Sequence, residues 1–281
     1  MKNHIIKFTI RVAFAMFVFF CSFLTAIPGN AQEIIKASIK SEVLGQERIF
    51  GIHLPKNYDA DAKKKYPVMY ALDGFKQLAL KFDALSGDGL VPETIVVGIS
   101  DMGEENRQRD LLPPYMKSDL EKENSPMGRA DKFLKFIETE LMPYMEKNYK
   151  VSDVNAISGH SRGGVLVIYS LLANPGLFQA RFAFSPAVWR EDNLLVVKTK
   201  EFLASPNKKK SFFYMTMGTA EVDKMKGAFD ALTETLTKNP PKKIDFYSEY
   251  TKDATHQTNV ELSISKALEK WGEYLQGKSK R

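Results

Sequence analysis

Residues 155–164 read Asn155-Ala156-Ile157-Ser158-Gly159-His160-Ser161-Arg162-Gly163-Gly164. A short apolar run leads in, Gly-x-Ser-x-Gly occupies 159–163, and Val165, Leu166, Val167, Ile168, Leu171 and Leu172 follow. That order describes a buried strand turning sharply into a central helix, with Ser161 on the turn. Glycines two residues before and after the serine let the strand and helix backbones approach without Cβ clashes. The helix start supplies free N–H groups and a dipole that favours negative charge beside the Ser161 hydroxyl. Ser161 is therefore the candidate nucleophile.

Working outward, Tyr66 to Leu72, Thr94 to Ile99, Val154 to Ser158, Ala180 to Ser185 and Phe212 to Met217 are short apolar runs bounded by turns, the pattern of buried parallel strands. Ile34 to Val43 and Arg48 to Leu54 read as an antiparallel pair around Leu44-Gly45-Gln46. Helical spacing links Phe133, Phe136, Ile137 and Leu141; then Val222, Met225, Phe229, Leu232 and Leu236, stopped by Pro240-Pro241; then Ile264, Leu268, Trp271 and Leu275. Alternating strands and helices predict an α/β fold, a mostly parallel central sheet with helices on both faces and antiparallel N-terminal strands. Ligands of such sheets bind at the carboxyl ends of the strands, so the chemistry is sought just after each apolar run.

A serine hydroxyl needs a base. His53 lies within an early strand and reads as structural. His160 precedes the nucleophile and is expected to pack beside the turn, within reach of substrate. His256, in Asp253-Ala254-Thr255-His256-Gln257-Thr258-Asn259, follows the strand-like Ile244 to Tyr250 and opens the last helix, where a base can reach Ser161. The base needs a carboxylate to fix its tautomer. Glu221 and Asp223 both follow the strand ending at Gly218; Glu221 is nearer the strand end and is preferred. Oxyanion donors are expected from the N–H of Arg162 and from Gly74 or Phe75, after the Tyr66–Leu72 strand. Arg109 and Asp110 either line the substrate site or pair with each other. Trp189, after Ser185-Pro186, either stacks on substrate or walls the pocket.

The chain has 281 residues, 44% hydrophobic and 26% charged, which excludes disorder, collagen and a long coiled coil. Residues 1–31 read as a signal peptide: Lys2, Lys7 and Arg11, then an apolar run from Val12 to Ile27, then Gly29 and Ala31 before a cleavage point at Gln32. The run is shorter than the roughly 20 residues of a spanning helix. Its removal takes the net charge from +6 to +3, too weak a bias for nucleic acid. It also removes Cys21, the only cysteine, so residues 32–281 form one disulfide-free domain, expected in the periplasm or outside the cell. No Cys/His cluster, His-Glu-x-x-His or phosphate loop occurs, so neither metal nor other cofactor is expected.

From about Arg48 to Tyr274 the chain resembles the putative-esterase branch of the α/β-hydrolase superfamily. The motifs that carry the likeness are Tyr66-Pro67-Val68-Met69-Tyr70-Ala71-Leu72-Asp73-Gly74, Val96-Val97-Gly98-Ile99 with Arg107, Arg109-Asp110-Leu111 and Pro113, the helix Phe133 to Tyr149, Ser158 to Gly164, Ser185-Pro186-Ala187-Val188-Trp189, and Thr255-His256. The resemblance implies an α/β-hydrolase fold and an exported serine esterase acting through an acyl-enzyme on a small-molecule, siderophore or glycan-linked ester. Acyl transfer on the same fold, and a non-catalytic binding protein that kept the fold, are the alternatives. The sequence is silent on oligomeric state.

Overall fold

The computed structural model describes residues 34–100, 102–204, 209–238, 240 and 243–277. The expected signal peptide, residues 1–31, lies outside them, as do Lys208 and Lys278 to Arg281. Eight strands form one sheet: β1 (Ile35–Ser41), β2 (Gln46–His53), β3 (Tyr66–Ala71), β4 (Ile95–Ile99), β5 (Val151–His160), β6 (Ala180–Phe184), β7 (Ser211–Gly218) and β8 (Ile244–Thr251), in the order β1-β2-β4-β3-β5-β6-β7-β8. β1 pairs antiparallel with β2, and β2 with β4; every other pairing is parallel. The parallel strands β4, β6 and β7 are buried at every position, which is why they read as continuous apolar runs rather than alternations.

Helices cover both faces. α1 (Phe75–Gly87) and α8 (Asn259–Leu275) lie on one, where Phe82, Phe182 and Trp271 meet edge to face. The other carries α3 (Ala130–Phe136), running through a π-helical turn at Ile137–Leu141 into α4 (Met142–Asn148), then α5 (Arg162–Ala173), α6 (Arg190–Ala204) and α7 (Asp223–Lys238). α2 (Glu104–Asp110) is a short helix of seven residues after β4. Periodicity did not reveal α1, α2 or α6. Val222, expected on the apolar stripe of α7, is 65% exposed because α7 starts one residue later; Leu275 is exposed as well.

The chain runs from β3 outward to β4, then crosses back to β5 on the other side of β3. This is the switch point of the sheet, and the crevice it opens lies at the carboxyl ends of β3 and β5. α5 leaves that crevice as a helix buried on nearly every side. Its far end is held by Arg181, a fully buried cation inside β6 that donates to Ser170 Oγ and to the carbonyls of Phe178, Ser170, Asn174 and Pro175. Burial pushes this guanidinium down to about 9. Its donors thereby join the last turn of α5 to the loop that leads into β6.

Trp271 anchors α8, the helix that follows the His256 loop. Trp271→Ala should cost about 3–5 kcal/mol of stability, the range for deleting a large buried aromatic. Urea unfolding of the variant measures this, and a loss below ~1 kcal/mol would contradict the packing described.

Candidate active site

Five chain segments meet at the carboxyl edge of the sheet. Ser161 turns from β5 into α5 with φ 57°, a left-handed backbone for a non-glycine residue. Its N–H donates to Phe184 O (3.0 Å) and its carbonyl accepts from Ala187 N–H (3.1 Å), so both flanks of the turn are tied to the end of β6. A Cβ on Gly159 would collide with the backbone of Gly163, and a Cβ on Gly163 would collide with Asp73 Oδ2. The glycine spacing therefore serves two close approaches, strand to helix and helix to the loop after β3.

That loop carries the expected oxyanion donors. Asp73 accepts from His160 N–H through Oδ2 (2.8 Å) and pairs with Arg107 through Oδ1 (2.8 Å). It thereby fixes the loop against the turn. Gly74, at φ 64°, precedes α1, and Phe75 is its first residue. Phe75 lays its ring over Gly98 and Gly51, where a side chain at either glycine would meet it. The first N–H groups of α1 and α5, at Phe75 and Arg162, have no intrahelical acceptor. A groove of about 400 Å³ starts at Asp73-Gly74-Phe75 and runs past Gly98 and Ser100 to Ile49 and Lys36.

His256 lies half-buried in the loop between β8 and α8. Its Nδ1–H donates to Glu221 Oε2 (2.9 Å). Glu221 is the acid that reaches it; Asp223, the other candidate, is fully exposed and pairs with Lys226. The Glu221 side chain is buried, and its Oε1 accepts from Ser185 Oγ–H (2.5 Å) and Gly218 N–H (2.9 Å). Burial pushes its pKa up, but the hydrogen bonds from His256, Ser185 and Gly218 together outweigh it and hold the carboxyl below the ordinary 4.5. Among the described residues no hydrogen bond joins Ser161 Oγ to His256 Nε2. The two residues are linked instead through His160, whose ring centroid is 4.4 Å from that of His256 and whose Nε2–H donates to the His256 carbonyl (2.8 Å).

Of the four expected substrate contacts, His160 and Asp110 are engaged with other groups of the protein. His160 spends its Nε2 donor on the His256 carbonyl; burial, and then the neighbouring His256, lower its pKa. Asp110 is buried between Arg48 and Arg129 Nε (2.5 Å), and these two, not Arg109, neutralise it. It has no face toward a ligand, and Arg109 Nε is itself buried. The Arg162 side chain pairs with Glu104 of α2 (2.8 Å) at the rim. Trp189 is half-buried with Lys224 Nζ over its ring at 4.5 Å. Asp73, Ser185 and Asn259 belong to the site yet drew no role from the sequence. The only signal was position, each standing one or two residues beyond an apolar run or an element boundary. Among the described residues no group of three or more His, Cys, Asp or Glu is arranged to hold a metal.

The family model described as "Putative esterase" matches residues 41–275. The chain is 28% identical over 213 residues to the ferri-bacillibactin esterase BesA of Bacillus subtilis, covering 70% of this chain and 72% of that protein. The solved IroE-like serine hydrolase of Shewanella oneidensis superposes with TM-score 0.75 at 27% identity, covering 86% of this chain and 80% of that one. The BES protein of Bacillus cereus superposes with TM-score 0.75 at 26% identity, over 87% and 97% respectively.

The lowered pKa of Glu221 has a signed consequence for stability. A depressed carboxyl stabilises the fold above its unfolded pKa, near 4.5, and this contribution is lost as pH falls through the folded value. The stability difference between wild type and Glu221→Gln should therefore shrink from pH 7 to pH 3. Urea unfolding across that range measures it; a difference that stays constant would refute the sign.

Proposed function

We propose, from the premise that this chain belongs to the putative-esterase family and is a serine carboxylic-ester hydrolase, that it cleaves siderophore-type esters through an acyl-enzyme. The observation that carries the reading is the strand-to-helix turn at Ser161 beside an imidazole that a buried carboxylate holds from behind. Ser161 Oγ attacks the ester carbonyl while His256 Nε2 takes its proton. Glu221 fixes the tautomer by accepting Nδ1–H and stabilises the imidazolium that forms. Hydrogen bonds of this kind are commonly long in a resting enzyme and tighten when substrate docks, which suits the unmade Ser161–His256 contact. The N–H groups of Arg162 and of Gly74 or Phe75 receive the oxyanion. The alkoxide leaves with the proton from His256, and water then releases the acid from Ser161.

The relatives named for ferri-bacillibactin and for triacetylfusarinine C support an ester of the siderophore type as substrate. The groove beside Gly74 is floored by apolar residues and glycine, with Lys36 at its rim, which suits an acyl arm carrying a ring and negative charge. We place the enzyme outside the cytoplasm, on the strength of the Lys2–Ala31 pattern.

Ser161→Ala should remove turnover of p-nitrophenyl acetate and of a trilactone siderophore by at least about 10³-fold, the loss seen when a nucleophile is deleted, with circular dichroism unchanged. Substantial residual activity would exclude Ser161. Product analysis with an added sugar acceptor separates hydrolysis from acyl transfer. Export is checked separately: the protein recovered from its native host should begin at Gln32, and an intact Met1 would rule out cleavage.

A further inference from the structure

Behind the Glu221–His256 pair stands a second row of buried polar groups. Ser185 is wholly buried at the end of β6, and its backbone is left-handed at φ 44°. Its N–H is tied to Thr216 O (2.8 Å), and its hydroxyl reaches Glu221 Oε1 at 2.5 Å. Asn259, the first residue of α8 and equally buried, sends Nδ2 to Ser185 Oγ (2.8 Å) and to Thr216 O (3.3 Å). The direction of each bond follows from the donor inventory. A carboxylate only accepts, so Ser185 must donate to Glu221; its oxygen lone pairs are then free to accept the amide N–H of Asn259. The chain runs one way, Asn259 N–H to Ser185 O–H to Glu221 carboxylate.

This has a consequence at the other oxygen. Oε1 accepts from both Ser185 and Gly218, which uses its two lone pairs, and leaves Oε2 to face His256 Nδ1. A carboxylate held this way cannot turn away from the imidazole. It also gains charge-assisted hydrogen bonds that offset its desolvation. We propose that Ser185 and Asn259 are positioning residues of the ester hydrolysis: they orient the Glu221 carboxylate and keep it ionised, and so set the tautomer and basicity of His256. The proposal rests on the Ser161–His256–Glu221 reading above. It assigns no substrate contact to either residue.

A double-mutant cycle tests it. Ser185→Ala should lower kcat about tenfold, roughly the value of one charge-assisted hydrogen bond, with KM within about twofold. In a Glu221→Ala background the same change should lower kcat less than about twofold, because the group it acts through is gone. A loss of equal size in both backgrounds, a loss confined to KM, or no loss in the wild-type background would overturn the proposal. Asn259→Leu supplies a second readout that does not depend on turnover. The proton resonance of His256 Nδ1–H should shift upfield in this variant, and an unmoved resonance would count against the relay. Ser161→Ala and Glu221→Ala assayed alongside keep the two claims apart. Substantial activity surviving in Ser161→Ala, or undiminished activity in Glu221→Ala, sinks the underlying triad, whereas impaired controls with additive Ser185→Ala sink only the relay.

Discussion

At Ser161 the chain leaves β5 and enters α5 through a left-handed backbone, φ 57°. A non-glycine residue in such a region costs on the order of 1–3 kcal/mol and persists only where its surroundings over-determine it. Here they do. The Ser161 N–H and carbonyl are tied to Phe184 and Ala187 of the neighbouring strand end, the preceding His160 N–H is tied to Asp73, and α5 is gripped at its far end by the buried Arg181. Relaxing the turn would break bonds in three elements at once. The hydroxyl is thus presented by the whole centre of the sheet rather than by a local loop.

Two carboxylates organise what surrounds that turn, and they do so differently. Asp73 is partly solvated and works as a strut. It joins the loop after β3 to the turn and to Arg107, and its bulk is the reason that Gly163 admits no side chain. Glu221 is buried and works as an orienter: Ser185 and Gly218 hold Oε1, which leaves Oε2 to meet His256 Nδ1–H. His160 ties the two halves together: its backbone belongs to the Asp73 side, its ring to the carbonyl of His256. Charging that ring would place a cation against the base, and its burial opposes this.

Much of this architecture was legible in the linear chain. Runs such as Ala180 to Ser185 and Phe212 to Met217 betray buried parallel strands because both faces of the sheet are covered, so no polar alternation interrupts them. α2 and α6 left little periodic signal, since α2 buries no apolar residue and the non-helical backbone at Glu191, Asp192 and Asn193 interrupts α6; α1, which buries Leu78, Ala79, Phe82 and Leu85 at helical spacing, went unread. Asp110 misled for a related reason. A charged pair in a loop looks like a surface feature, and nothing local shows that Arg48, more than sixty residues earlier, crosses the sheet edge to meet it.

What the sequence by itself determined is the alternation of elements and the turn at Ser161, because both follow from local sterics and from which side chains must avoid water. The acid it favoured by position alone: Glu221 and Asp223 are two residues apart with the same chemistry, and only the packing of β6, β7 and α8 buries one against His256 and leaves the other in solvent. The same holds for Ser185 and Asn259. A hydroxyl and an amide acquire a direction only when three distant strand and helix ends are brought within hydrogen-bonding distance, and that distance is a property of the assembled sheet rather than of any segment of the chain.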